Sequence, residues 1–340
     1  MNPGRQLQKS RLKIAVINSC LLLLFLAACI SSTPVTPTEA VPSPVGSLST
    51  PTFIVASPSV SPLTVESTLT PTRTPLLPDF WKQLPVVPEK ISDRLREIYR
   101  HGRSLGNNPH VFSRIGDCIS AAPAFLVGFD GNYNLGEYTY LQPAIDYFQG
   151  SFKRPSLAAK NGLNTAGLLS SLWTGEQCLN KETLLDCQYR LDHPGFAFIS
   201  IGTNDAYYLR EDPASFELNL RTIIEGTIAK GIIPILATKA DDVEGGNPIN
   251  ATIARLALEY QLPLWNFWLA VQLLPDKGMV DPAHLSSISY INFTDFSIPH
   301  SLEYGMQMRN LTALQMLLFL REQLAETAPV DAAATSIPSP

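Results

Sequence analysis

The chain is 340 residues long, 45% hydrophobic and only 16% charged, with 28 prolines against 20 glycines. A formal net charge of −5 and a pI near 5.6 give no basic surface, which excludes nucleic acid as a partner. The length would allow two domains, but the prolines are unevenly spread and argue for one domain on a tether.

In chain order, Arg5, Lys9, Arg11 and Lys13 form a basic cluster ahead of an uncharged run from Ile14 to Ile30. That is the arrangement of a secretory signal. The run contains Leu26-Ala27-Ala28-Cys29, which resembles the lipobox of bacterial lipoproteins, where the Cys is lipidated and becomes the mature amino terminus. The resemblance implies that residues 1–29 are a signal and that Cys29 carries lipid. It places the chain outside the cytoplasm, lipid-anchored at the outer face of a bacterial cell membrane. An uncleaved anchor is the alternative, since 17 residues is at the short limit for spanning a bilayer.

The 48 residues from Ser31 to Pro78 include 9 Ser, 10 Thr and 10 Pro, and only Glu39, Glu66 and Arg73 carry charge. So few large apolar side chains cannot offset the entropy of ordering, so this composition reads as an extended tether. Residues 30–87 are therefore predicted to be disordered, residues 88–326 to be one folded domain, and the Ala/Ser/Pro-rich residues 327–340 to be a disordered tail. About 240 residues suffice for a well-buried α/β domain.

The cysteines divide by compartment. Cys20 leaves with the signal and Cys29 takes the lipid. Cys178 and Cys187, with eight residues between them, are the natural disulfide pair in an oxidising compartment. A metal site competes for that pair, but no His stands nearby at ligand spacing. Cys118 is left alone, either a buried small hydrophobe or a reactive thiol. Asn250, Asn292 and Asn310 head Asn-x-Thr triplets, a weak glycosylation signal in this context.

Within the folded part, strands are predicted at Val111–Ile115, Phe196–Ile201, Ile232–Ala237 and Leu262–Phe267. Helical spacing runs through Phe216, Leu220, Ile223, Ile224 and Ile228, with Gly231 as a stop, and again over Ile253–Tyr260 and Leu302–Leu324. Such alternation implies a parallel sheet covered on both faces, with ligand sites at the carboxyl ends of its strands. Gly116-Asp117-Cys118-Ile119-Ser120 follows the first strand and Gly202-Thr203-Asn204-Asp205 the second, while Asp281-Pro282-Ala283-His284 stands near the carboxyl end.

In this order the three blocks resemble the SGNH (GDSL) hydrolase family. The resemblance spans about Val111 to Leu324. It implies a flavodoxin-like three-layer fold and hydrolysis of acyl esters, including lipids and acetylated sugars. It also implies a nucleophile at position 118, an oxyanion-hole Asn at Asn204, and a base and its orienter at His284 and Asp281. A further oxyanion donor is implied at Gly162, within Lys160-Asn161-Gly162-Leu163-Asn164-Thr165.

The chemistry supports those roles independently. Acyl transfer needs a nucleophile, a base, a group that orients the base, and donors for the oxyanion. Cys118 would open a helix, so its own N–H can face the reacting carbonyl beside Gly162 N–H and the Asn204 amide. Asp281 and His284 are three apart, so the carboxylate can reach the ring and fix its tautomer. His300 is the competing base. Asp117 and Asp205 are supporting residues that also suit helix caps.

Position 118 departs from the family pattern, which has Ser there. Cys118 could be the nucleophile itself, its thiolate favoured by a helix N-terminus and a nearby His. The chain could instead have lost hydrolysis and kept a pocket that binds carbohydrate or acyl ligands. Ser120 could take over, although two residues along a helix turn a side chain by about 200°. Tyr133, Tyr138 and Tyr140, in and after a Gly-rich loop, could stack on a sugar or simply pack. No nucleotide loop or metal motif stands in the sequence, so no cofactor is implied. The implied partners are an ester-bearing small molecule or polysaccharide, and a membrane through the lipid.

Overall fold

The computed structural model describes residues 77–325, apart from 208, 210, 211 and 289–291. The signal, Cys29, most of the tether and the carboxyl tail lie outside the described residues. Along the chain run α1 (Asp93–Ser104), β1 (Asn108–Gly116), α2 (Cys118–Ala121), α3 (Gln142–Tyr147), α4 (Thr165–Leu168), α5 (Leu184–Asp192) and β2 (Pro194–Ser200). They are followed by α6 (Pro213–Ala229), β3 (Ile233–Ala237), α7 (Pro248–Glu259), β4 (Leu264–Trp265), α8 (Phe267–Val271) and α9 (Gly305–Ala325).

The four strands pair in parallel in the order β1-β2-β3-β4. β2 and β3 are buried along their whole length, because helices cover both faces and the strands read as continuous apolar runs. Phe112 stands opposite Phe196, and Phe196 opposite Ile233, so the register places large side chains in rows across the sheet. Edge-to-face contacts of Phe112 with Phe148, Phe152 and Phe198 extend the core to the helix side. The α/β class and the parallel sheet are as the sequence predicts, but the strand predicted over Leu262–Phe267 shrinks to Leu264–Trp265 with Phe267 opening a helix, and the last helix begins at Gly305 rather than Leu302.

A short segment at Ala158–Lys160 lies beyond β1. Gly116 N–H donates to Ala158 O at 2.9 Å, and Gly116 O accepts from Lys160 N–H at 3.0 Å. The chain thus pairs first on one side of β1 and then, through β2, on the other. The end of β1 is therefore a topological switch point, where neighbouring connections diverge and leave a crevice. Cys118 stands two residues past that end.

Packing begins ahead of Pro88. Trp81 is buried and meets Trp268 of α8 edge-on at 4.8 Å. Asn266, just past β4, donates its amide to Trp81 O at 2.9 Å and to Leu84 O at 2.8 Å, and its backbone N–H to Val86 O at 3.0 Å. Residues 81–86 thus form a strap along the outer edge of the sheet beside the two-residue β4.

Candidate active site

Gly116 fixes how β1 ends. Its φ is +149°, and a Cβ there would lie 1.9 Å from Ser200 O on β2. Only glycine allows this approach, which sends the chain up into Asp117 and Cys118. Gly116→Ala should destabilise the fold by about 3–5 kcal/mol, combining backbone strain with overpacking. Gly162→Ala, at φ +76° with nothing within 4 Å of its added Cβ, should cost only about 1 kcal/mol. Comparing the two urea midpoints checks this, and equal losses would refute the steric argument.

Asp117 caps α2, its Oδ1 accepting from Ile119 N–H at 3.2 Å. Burial pushes its carboxyl up to about 6, against the pull of the Ile119 N–H and of Arg309. Cys118 is a free, half-buried thiol. The expectation that its setting favours thiolate is corrected here: burial, then the Asp117 carboxylate, push the thiol up. The backbone N–H groups of Ile119 and Cys118 at the start of α2 pull the other way without overcoming those two causes. Ser120 is buried and its hydroxyl donates to Ser200 O at 3.3 Å, so it is held under the sheet end.

The candidate oxyanion donors are tied together by two hydrogen bonds. The Gly116–Lys160 bond brings the Gly162 loop beside the Cys118 turn. The Asn204 amide donates to Leu163 O at 2.9 Å, the residue next to Gly162. Asn204 thus spends one N–H on holding the loop and keeps a second. Gly162 is exposed, and its N–H has no acceptor among the described residues. Asp205 completes the junction by accepting from Thr165 N–H at 3.1 Å and Thr165 Oγ1 at 2.5 Å. Burial pushes this carboxyl up as well.

His284 and Asp281 form the expected pair. Asp281 Oδ1 accepts from Ala283 N–H at 2.9 Å and His284 N–H at 2.8 Å, and His284 Nδ1 lies 2.9 Å from both carboxylate oxygens. The backbone N–H of Ala283 and then the His284 ring hold Asp281 below the usual carboxylate range. This network assigns the proton to Nδ1 and leaves Nε2 free to act as a base. The imidazole is 58% exposed, and among the described residues its ring bonds to Asp281 alone, not to Cys118. The loop around it closes as a small hairpin, Met279 pairing with Leu285, and docks on α9 through Ser286, whose Oγ accepts from Gly305 N–H and whose carbonyl accepts from Met306 N–H. His300 instead turns to Glu303 at 2.7 Å.

Arg309, on the next turn of α9, is a site residue that sequence reasoning missed. Its guanidinium is buried over Phe125, Trp265 and Phe267, at 4.5, 4.8 and 5.1 Å from their ring centres. One Nη donates to Ser200 Oγ at 2.9 Å, directly across from Gly116. Burial lowers its pKa to about 10, so it stays charged at neutral pH, and its field acts on Asp117 and Cys118. The available signal was Arg309 standing among Met306, Met308 and Leu311 near the start of a helix whose other arginine, Arg321, lies near its end.

Other expectations resolve away from the site. Tyr133 hydrogen-bonds Gln142, and Tyr138 packs against Phe296, so both are packing residues. Tyr140 meets Gln315, ten residues along α9 from Gly305. Cys178 and Cys187 are joined in a disulfide, with Cα atoms 5.3 Å apart. Asn250 and Asn310 are fully buried with their side-chain amides bonded, while Asn292 is exposed.

No family model matches the chain, and no curated protein matches it. Among solved structures, a catalytic mutant of Axe2, an acetylxylan esterase from Geobacillus stearothermophilus, is similar at 16% identity and a TM-score of 0.37. The match covers 61% of this chain and 94% of that one. The acetyl xylan esterase AlAXEase is similar at 15% identity and a TM-score of 0.35, over 60% of this chain and 96% of that one.

Proposed function

We propose that the chain is an extracytoplasmic, membrane-tethered ester hydrolase that acts on acyl or acetyl esters, including those of surface carbohydrate. The observation that carries this reading is the pair of hydrogen bonds, Lys160 N–H to Gly116 O and the Asn204 amide to Leu163 O, that tie the loops of Gly162 and Asn204 to the end of β1 ahead of Cys118. Cys118 is the nucleophile. His284 Nε2 takes the thiol proton as sulfur attacks the ester carbon, with Asp281 holding the ring and balancing its charge. The carbonyl oxygen becomes an oxyanion that accepts from Cys118 N–H, Gly162 N–H and the free Asn204 N–H. Collapse breaks the carbon–oxygen bond, and the alcohol leaves with the proton from His284. Water, deprotonated by the same ring, then cleaves the thioester to release acid and free thiol.

The raised thiol and the missing Cys118–His284 bond favour a second reading, an inactive module that binds carbohydrate or acyl ligands. Brief exposure to p-nitrophenyl acetate followed by acid quench and peptide mass analysis separates the two. The hydrolase should carry acetyl on Cys118, with the adduct forming at least about 100-fold more slowly in His284→Ala. An unmodified Cys118 in the wild type selects the binding module.

A further inference from the structure

The residues on either side of Asn204 are both fastened. Asp205 grips Thr165 at the start of α4. On the other side, Thr203 Oγ1 donates to Asp241 Oδ2 at 2.8 Å, and both residues are buried. Asp241 belongs to the loop after β3, which opens at the same end of the sheet. Its other oxygen takes Lys239 Nζ at 2.6 Å, and the same ammonium donates to Glu244 Oε2 at 2.5 Å and to Asp241 O at 3.1 Å. Asn250 of α7 clamps the Lys239 backbone from both sides, accepting from its N–H at 2.8 Å and donating to its carbonyl at 2.9 Å. Asp242 ties the loop's far end by accepting from Gly246 N–H at 3.0 Å and Asn247 N–H at 2.7 Å.

An ion cluster this deep is costly to desolvate and adds little stability over apolar packing of the same volume. What it does supply is direction. A carboxylate fixed by a buried ammonium holds a hydroxyl donor at one place and one angle, and Thr203 is the residue before the candidate oxyanion Asn. We propose that Thr203, Asp241 and Lys239 are positioning residues, forming a buried linkage that fixes the Asn204 turn and keeps its free amide N–H pre-aimed. This inference deepens the hydrolase reading, and the geometry it concerns is measurable without turnover.

The test compares Thr203→Val and Asp241→Asn with Thr203→Ser in the full chain. The side-chain amide resonances of Asn204, identified by their loss in Asn204→Ala, report the turn directly. They should shift or broaden in Thr203→Val and Asp241→Asn and return to wild-type positions in Thr203→Ser. With p-nitrophenyl acetate, kcat should fall about 10-fold in the first two variants with KM within about twofold, because misplacing a donor weakens the transition state alone. Thr203→Ser should keep wild-type kcat. Unchanged Asn204 resonances in both disruptive variants would overturn the linkage, as would a rise in KM at constant kcat. Should Thr203→Val not fold, Asp241→Asn decides the question alone. If the wild type fails to turn over the ester yet the resonances move as stated, the linkage stands and the hydrolase reading falls.

Discussion

Replacing Cys118 with alanine is expected to lower kcat/KM for p-nitrophenyl acetate at least about 10³-fold, since it removes the atom that carries the acyl group. Cys118→Ser should retain measurable turnover, because the base and the oxyanion donors stay in place. The pH dependence distinguishes the thiol from its neighbours. Burial and the Asp117 carboxylate both push the thiol up, so the reactive thiolate accumulates only as pH rises into the alkaline range. Alkylation by iodoacetamide should therefore be slow at pH 7 and climb with pH. Asp117→Asn removes the like charge while keeping a side chain that can cap α2, so it should move this profile to lower pH. Turnover in Cys118→Ala equal to that of the wild type would remove Cys118 from the chemistry altogether.

Lys239→Met should lower stability by about 3–5 kcal/mol at pH 7, because it strands two buried carboxylates. Asp241 and Glu244 have side chains 0% and 2% exposed, so water cannot replace the ammonium without opening the loop. The loss should depend on pH in a definite direction. Burial already pushes the Glu244 carboxyl up. A folded carboxyl with a raised pKa binds its proton more tightly than the unfolded chain does, so its penalty is present at neutral pH and relieved as pH falls through the folded value. The difference from wild type should accordingly shrink between pH 7 and about pH 4.5. Adding Glu244→Gln should recover part of it at pH 7. Urea denaturation at the two pH values measures both effects, and a pH-independent loss below about 1 kcal/mol would show that the triad is accessible to solvent.

The sheet was legible in sequence wherever one strand's own residues carry the signal. β2 and β3 are unbroken apolar runs, and α6 repeats its buried leucines and isoleucines at helical spacing. The Ala158–Lys160 pairing was not legible, because a single bridging residue leaves no pattern. Cys118, Asn204, Asp281 and His284 could be singled out because each stands within or just after a recognisable block. Their supports could not. Lys239, Asp241 and Glu244 follow β3 in no recognisable motif, and only their bonds to one another, to Thr203 and to Asn250 mark them as a unit. The four-residue length of α2 did have a signature, in Pro123, which holds Ala122 in extended geometry and stops the helix at Ala121. The strap near Trp81 reads as tether because backbone carbonyls, not side chains, make most of its attachments.

That strap has a mechanical consequence. Any pull on the chain ahead of Leu77 reaches the domain through Trp81 and the three hydrogen bonds of Asn266, before it reaches a single strand-to-strand bond. Asn266 sits at the root of α8, which leads through residues 272–278 to the hairpin that holds His284. Force on the amino-terminal side is thus delivered at the β4 edge of the sheet, while β1 and the Cys118 turn lie at the opposite edge. Under load, the edge that carries the strap would be strained before the edge that carries Cys118.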